Sequence, residues 1–275
     1  MEKIGIVTDS TCNLSEKILK ENRIESVSLC IHSQEEYKKD VDILPSEFYQ
    51  QLKKAVILPT TSQPSSMDFE KVYRRLSKEY DVILSIHISA ELSGTINSAT
   101  IAASMVGGDI RIIDSRSASY GLGFIVLEAV KMKEESLTAD EIVKKLKEKV
   151  ISRIEIYFAV SDLMYLYKGG RIGKAKAVLG SAFRLKPILT LREGIIDLFD
   201  KARGNSAALE KIVSLSRKAL RDKKRKAKIL HANNEKYAFL LRSKLKDEGI
   251  DLEVVAIDPV IGVHLGPGAY GIVID

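Results

Sequence analysis

The chain has 275 residues, of which 45% are hydrophobic and 29% are charged, and its formal net charge is +6. Such a composition excludes an intrinsically disordered chain and leaves enough apolar sequence for a sizeable core or a pocket. The length allows one or two domains. The first residues lack the apolar stretch of a signal peptide, and no run is long enough to span a bilayer, so we expect a cytoplasmic protein.

The excess of basic residues favours an acidic partner, but a nucleic acid is not expected. Much of the charge lies in mixed or helical runs such as residues 144–149 and 221–226, and the few aromatic residues are not interleaved with them. The two cysteines, Cys12 and Cys30, and the four scattered histidines show no metal-ligand spacing. A structural metal site is therefore not expected either.

The first half of the chain alternates predicted strands and helices. Short apolar runs predict strands at residues 4–7, 24–32, 81–85 and 110–114. Two of the helices begin with capping boxes, Ser65 with Asp68 and Thr138 with Glu141. Strands separated by helices predict a doubly wound, mostly parallel sheet.

The second half predicts an α+β domain with an antiparallel or mixed sheet. A β-hairpin is expected around Glu193-Gly194, because strand-like runs at 187–192 and 195–201 flank it. Further strands are predicted at 154–160, 227–231, 252–257 and 271–274, and helices at 163–167, 173–183, 206–220 and 234–246. We therefore expect two domains, residues 1–155 and 156–275.

Polar residues follow the predicted strands of the first half. The four clusters are Asp9-Ser10-Thr11, residues 60–65, Ser93-Gly94-Thr95 and Asp114-Ser115. Ligands of doubly wound folds bind at the carboxyl ends of the strands, so the clusters predict a shared polar pocket. These residues alone do not specify which ligand the pocket would bind.

Three kinds of chemistry fit such a pocket. A nucleophilic Ser93 with His264 as base lacks the Gly-x-Ser-x-Gly elbow of many hydrolases. A nucleotide cradle lacks the P-loop pattern, and the pair Gly121 and Gly123 is only a partial dinucleotide signal. Another anion is the third reading. Gly169-Gly170-Arg171 offers a backbone nest and a bidentate donor, and the glycine-rich loop at 263–269 offers His264.

Seven ordered motifs resemble those of the DegV family, which includes the fatty-acid-binding B subunits of bacterial fatty acid kinase. The resemblance runs from residue 4 to the end of the chain. The motifs are Thr8-Asp9-Ser10, Thr61-Ser62-Gln63-Pro64-Ser65, Ser89-x-x-Leu92-Ser93-Gly94-Thr95, Asp114-Ser115, Gly169-Gly170-Arg171-Ile172, Lys186-Pro187-Ile188-Leu189 and His264-x-Gly266-Pro267-Gly268.

The resemblance implies a carrier that has no catalytic residue, cofactor or metal of its own. A long-chain fatty acid would lie between the two domains, with its carboxylate held by Thr61, Ser93 and His264. A supporting polar pocket would comprise Ser10, Ser62, Gly94, Thr95 and Gly268. Arg171 and Arg203 would lie where an A-type kinase subunit docks, and that subunit would supply ATP and Mg²⁺ for acyl-phosphate formation in phospholipid metabolism.

Two other functions stay open, a small-molecule hydrolase or transferase that uses Ser93 and His264, and a regulatory interaction module without a tunnel. A separate hypothesis concerns residues 173–186. Apolar side chains alternate there with the basic residues Lys174, Lys176, Arg184 and Lys186. This pattern is typical of transient contact with an anionic bilayer, and packing on the sheet is the alternative.

Overall fold

The computed structural model describes residues 2–33, 36–180, 185–222, 225–246 and 252–275. The chain divides into two compact units. The first comprises Met1–His32, Tyr37–Asp42 and Thr61–Arg153, and the second comprises Ser33–Glu36, Ile43–Thr60 and Ile154–Asp275. The main change of unit thus lies at Arg153 and Ile154, and the segment 43–60, which the sequence assigned to the first domain, belongs to the second unit.

The secondary structure alternates strands and helices along most of the described chain. Up to residue 114 the elements are β1 (Ile4–Asp9), α1 (Glu16–Glu21), β2 (Ile24–Val27), β3 (Cys30–His32), β4 (Tyr37–Lys39), α2 (Pro45–Lys54), β5 (Thr60–Ser62), α3 (Ser66–Leu76), β6 (Val82–His87), α4 (Thr95–Val106) and β7 (Asp109–Asp114). The later elements are α5 (Tyr120–Glu134), α6 (Ala139–Lys145), β8 (Glu155–Ala159), α7 (Met164–Lys168), β9 (Leu185–Arg192), β10 (Ile195–Arg203), α8 (Gly204–Ala219), β11 (Ala227–His231), α9 (Glu235–Leu245), β12 (Glu253–Ala256), α10 (Pro259–Leu265) and β13 (Tyr270–Ile274).

The first unit contains a four-stranded sheet in the order β2-β1-β6-β7, and every pairing in it is parallel. On one face, Val7 and Ile83 pack with side chains of α3 and α4. Ile6 and Leu84 alternate with these residues along the strands and point to the opposite face, yet they are equally buried. Helices therefore cover both faces, which explains why the strands read as continuous apolar runs.

The run predicted as one strand at 24–32 is two strands in different sheets. β2 pairs with β1, whereas β3 lies between β4 and β5 in a small three-stranded sheet. The break falls at Leu29, whose amide donates to Ser10 Oγ and whose carbonyl accepts from Asp40. Its backbone groups are thus used outside both ladders, so the run is interrupted there.

The second unit contains a six-stranded mixed sheet in the order β10-β9-β8-β13-β11-β12. The hairpin of β9 and β10 is confirmed, and Glu193 and Gly194 both adopt positive φ in its tight turn. Helices α8 and α9 bury residues such as Ile212 and Leu241 in the core of this unit. One parallel sheet and one separate mixed sheet confirm the predicted α/β fold class.

The basic helix predicted at 173–183 is shorter than expected. A 3₁₀ helix covers Gly173–Val178, in which Ala175 and Val178 are buried while Ala177 and the two lysines Lys174 and Lys176 are exposed. This favours packing over bilayer contact for the described part of the segment. Phe183 and Arg184 lie outside the described residues. Across the described ranges, no helix combines the length and apolar character that crossing a membrane requires.

Both predicted capping boxes are present, and that of α6 supports a stability prediction. Thr138 Oγ1 accepts from the Glu141 amide at 3.4 Å, and the Glu141 carboxylate accepts from the Thr138 amide at 2.9 Å. We expect Thr138→Ala to lower the free energy of unfolding by about 1 kcal/mol in chemical denaturation, because the Glu141 amide in the first turn of α6 loses its acceptor. Thr100→Ala, on the exposed middle of α4, is the matched control and should have little effect. Equal effects of the two variants would contradict the prediction.

Candidate functional site

The turn between β6 and α4 holds Ser93 in a defined place. The amides of Leu92 and Ser93 both donate to the Ser89 carbonyl, at 3.0 and 3.1 Å. The Ser93 hydroxyl lies 2.9 Å from Thr95 Oγ1 and accepts from the Thr95 amide at 3.3 Å. Ser93 is partly exposed and Thr95 is buried. The two hydroxyls therefore form a pair at the first residue of α4.

The start of α4 is electrostatically suited to an anion. Its cap residue is Gly94, which has no capping side chain, and its first turn contains no acidic residue. The amino end of a helix carries a partial positive charge, and α4 is twelve residues long. The Ser93–Thr95 hydroxyl pair thus lies where a carboxylate or phosphate is favoured.

Gly94 brings the segment after β5 against the start of α4. A Cβ built at Gly94 would overlap the side-chain amide of Gln63. The same amide donates from Nε2 to Ser98 Oγ at 2.9 Å. The Thr61–Gln63 segment and the Ser93 turn therefore lie side by side. Thr61 and Ser62 do not follow a strand of the parallel sheet, as the sequence predicted, but lie within β5 of the small sheet.

Several predicted pocket residues are engaged in bonds within the first unit. Ser10 Oγ accepts from the Leu29 amide, and Ser62 Oγ lies 2.8 Å from His32 Nε2. Asp114 Oδ1 accepts from the Arg116 amide at 2.8 Å and from the Ala90 amide at 3.4 Å. The Asp114 bond to Ala90 supports the turn that leads to Ser93, whereas the bonds of Ser10 and Ser62 join other segments of the unit. Ser10 and Ser62 are thus supports of the fold at this edge.

In the second unit, the structure brings His264 and Arg171 together. His264 lies on α10, whereas the sequence placed it in a glycine-rich loop. A Cβ at Gly169 would overlap the His264 imidazole, and Arg171 Nη1 donates to the Gly169 carbonyl at 2.7 Å. The Gly169-Gly170-Arg171 motif therefore allows close packing of the imidazole and places a guanidinium beside it.

The electrostatics of this cluster determine the charge of His264. Burial, and secondly the Arg171 guanidinium, lower the pKa of His264 to about 4. At neutral pH the imidazole is therefore uncharged. A neutral imidazole has one N–H to donate and one nitrogen to accept, so it can hydrogen bond an anion while Arg171 carries the positive charge.

The loop after α10 depends on two glycines with positive φ. A Cβ at Gly266 would overlap the Tyr165 ring, and one at Gly268 would overlap Ser161 Oγ. The Gly268 amide also donates to the Ala232 carbonyl at 2.6 Å. Gly268 is thus required for close packing of this loop in the second unit.

Arg203 lies elsewhere on the second unit than Arg171. It is the last residue of β10, is exposed, and pairs through its backbone with Leu185. Gly173, two residues after Arg171, lies against Ile196 at the opposite end of the same strand. A strand of this length spans roughly 25 Å. The two arginines thus belong to regions that meet β10 at its two ends.

Sequence reasoning missed a buried polar chain in the first unit. His87 Nδ1 lies 3.0 Å from Asp9 Oδ2, His87 Nε2 lies 2.6 Å from Ser85 Oγ, and Ser85 Oγ lies 2.7 Å from Tyr73 Oη. The available signal was the spacing of Ser85 and His87, because polar residues two apart in an apolar strand share a face.

The hydrogen bonds of the first unit do not support a nucleophilic Ser93. Its hydroxyl is bonded to Thr95, while His32 pairs with Ser62 and His87 with Asp9 and Ser85. An activated serine requires a base within hydrogen-bond reach. Within the described ranges, no group of three or more His, Cys, Asp or Glu side chains is arranged to hold a metal ion.

The low pKa of His264 predicts a pH dependence of stability. The unfolded chain takes up the proton near pH 6.5, whereas the folded chain takes it up near pH 4. The contribution of the uncharged His264 to the free energy of unfolding is therefore fully present above pH 6.5. It is lost as the pH falls toward 4, by about 3 kcal/mol at most. In urea unfolding at several pH values, His264→Gln should lack this component. Parallel pH curves for the parent and the variant would contradict the assignment.

Comparison with known proteins extends these observations to the whole chain. The DegV family model matches residues 3–275. A DegV domain-containing protein of Halalkalibacterium halodurans is 38% identical, over 99% of this chain and 98% of the relative. A fatty-acid-binding DegV family protein of Thermus thermophilus has a TM-score of 0.93 and 35% identity, with 99% of each chain covered. DegV of Bacillus subtilis, described as a fatty acid binding protein, has a TM-score of 0.91 and 33% identity, with 100% of this chain and 99% of that chain covered. Agreement in both sequence and fold over nearly the full length shows that this chain belongs to the DegV family.

Proposed function

We propose that this protein binds a long-chain fatty acid and holds its carboxylate beside Thr61 and Ser93. The observation that carries the proposal is the Ser93–Thr95 hydroxyl pair at the amino end of α4, with the Thr61–Gln63 segment packed against it at Gly94. Related proteins of the same fold are described as fatty acid binding, which supports a carboxylate over other anions.

The energetics of such a ligand suit neutral donors. An acyl chain gains about 0.8 kcal/mol for each CH₂ removed from water, so a long chain supplies most of the affinity. The carboxylate then needs a few placed donors to compensate for its lost hydration. Hydroxyl groups satisfy it without the tight ion pair that would oppose its later reaction or release.

We extend the proposal to the second unit. His264 is uncharged at neutral pH, because burial and Arg171 lower its pKa. A neutral imidazole carries one N–H, and we propose that it donates to the same carboxylate. Gly268 supports the loop that follows α10. In this scheme Ser10, Ser62, Gly94 and Thr95 support the head-group site without carrying the main donor role.

We also propose that the protein presents the carboxylate to a separate kinase subunit. The carboxylate oxygen would attack the γ-phosphorus of ATP, the bond to the β-phosphate oxygen would break, and ADP and an acyl phosphate would form. ATP and Mg²⁺ would be bound by the partner, so this chain would act as a carrier without catalytic groups. Arg171 and Arg203 are the proposed contacts, since both carry positive charge and Arg203 is exposed.

The fatty-acid proposal is tested by ligand retention. Organic extracts of the purified parent should contain about one fatty acid per chain by mass spectrometry. Thr61→Ala and Ser93→Ala should each weaken binding of radiolabelled stearate at least tenfold, because one donor to the carboxylate is lost. Thr100→Ala and Ser104→Ala, exposed positions on α4, are matched controls. An empty parent, or unchanged retention in both site variants, would overturn the proposal.

The kinase proposal needs a separate readout. With a purified kinase subunit, Arg203→Ala should lower acyl-phosphate formation at least fivefold, because a positive contact to the partner or phosphate is removed, while stearate affinity stays unchanged. Lys218→Ala removes one charge from the exposed surface of α8 in the same unit and should have no effect. Equal rates for Arg203→Ala and the parent would contradict this docking site.

A further inference from the structure

We propose that the buried chain Asp9–His87–Ser85–Tyr73 positions the Ser93 turn for ligand binding, with Asp9 and His87 as positioning residues. The inference rests on the proposed function, since it assigns these residues a role toward the same carboxylate. All four side chains are fully buried within the first unit. Asp9 lies in the Thr8-Asp9-Ser10 motif, but none of the four residues is among those expected to bind the carboxylate, Thr61, Ser93 and His264.

The hydrogen bonds of the chain run in one direction. Asp9 already accepts from the amides of Thr11 and Ile88, so the arrangement in which His87 Nδ1 donates to Oδ2 is consistent with its role as an acceptor. His87 Nε2 then accepts from the Ser85 hydroxyl, which accepts in turn from Tyr73. Burial raises the pKa of Tyr73, so its hydroxyl keeps the proton that it donates. In this arrangement every link joins one donor to one acceptor.

The arrangement has the order of a serine hydrolase triad but is closed to substrate. Tyr73 Oη lies 2.7 Å from Ser85 Oγ and occupies the space beside that hydroxyl. The Phe69 ring packs edge-on against His87 with ring centroids 5.0 Å apart. Ser85 has no exposed surface. The histidine therefore orients a carboxylate from within the core, and Ser85 and Tyr73 orient the histidine.

Asp9 connects this chain to two backbone segments. Its Oδ1 accepts from the amide and the hydroxyl of Thr11, at 3.1 and 2.5 Å, in the turn after β1. Its Oδ2 accepts from the Ile88 amide at 3.0 Å, directly after β6. The next residue, Ser89, provides the carbonyl that accepts from Leu92 and Ser93. One carboxylate thus sets the point from which the Ser93 turn leaves the sheet.

A purely stabilising role explains the chain poorly. Buried polar networks are often matched or exceeded in stability by well-packed apolar residues of similar volume. Their distinctive contribution is one defined geometry, because any other arrangement leaves buried groups without partners. The network bonds to the Ile88 amide, one residue before the turn that carries the proposed donor Ser93, and this connection agrees with a positioning role.

The test compares ligand affinity with stability in matched variants. Asp9→Asn places an NH₂ group where a carboxylate oxygen accepted, so at least one of its donors loses its acceptor. We expect stearate affinity to fall at least tenfold and amide exchange at Ser93 and Thr95 to accelerate. Leu76→Ala, in the same core, is the control for general destabilisation and should keep the parent affinity in the folded state.

A pair of substitutions at His87 separates positioning from packing. Asn places an amide nitrogen near the position of Nδ1 and can still donate to Asp9, whereas Gln places its amide near Nε2. His87→Asn should therefore retain more stearate affinity than His87→Gln at similar thermal stability. This pair also keeps the test decisive if Asp9→Asn does not fold.

The outcomes distinguish the two proposals. A parent that binds no stearate sinks the proposed function. A parent that binds stearate, with Asp9→Asn losing no more affinity than Leu76→Ala, overturns the positioning role and leaves the proposed function intact. Equal affinities of His87→Asn and His87→Gln would also overturn it.

Discussion

The carboxylate of Asp9 is the interaction on which the first unit's site depends. It accepts hydrogen bonds from the turn after β1, from the amide after β6 and from a histidine inside β6. A buried carboxylate is tolerated only when several donors surround it. Because its donors come from both segments, the Asp9 side chain links the residues that follow the carboxyl ends of β1 and β6, two neighbouring parallel strands. The turn that carries Ser93 begins one residue beyond one of these bonds, so the Asp9 side chain is bonded to the backbone at the point where that turn leaves the sheet.

Close contacts at glycines have a similar effect in both units. At Gly94 the missing side chain admits the Gln63 amide, and at Gly169 it admits the His264 imidazole. Each contact brings together two segments that are far apart in the chain. Larger residues would separate them even though the helices and strands would still form, because the obstruction is local to the contact. At these two positions glycine matters because it has no Cβ and lets another side chain approach the backbone closely. Its backbone flexibility is less important there.

The donors that we propose for the carboxylate are neutral groups in each of the two units. Ser93 and Thr95 are hydroxyls, and His264 is held uncharged by burial and by the neighbouring guanidinium of Arg171. This division suits a carrier whose ligand must be held and later given up. A carboxylate bonded by neutral groups at a helix start is stabilised by dipoles, and no buried ion pair has to be broken for its release.

The sequence by itself determined the fold class, most helices and strands, the hairpin at Glu193-Gly194 and both capping boxes, because periodicity, turn residues and caps act over a few residues. Its motifs also identified the family. Only the tertiary structure decided that the run at 24–32 breaks at Leu29 and that 43–60 belongs to the second unit. It alone also showed that Ser10 and Ser62 are already bonded, and that His87 closes a buried chain to Asp9. Hydrogen-bond partners such as Asp9 and His87 lie 78 residues apart, and no local pattern specifies which distant groups will meet.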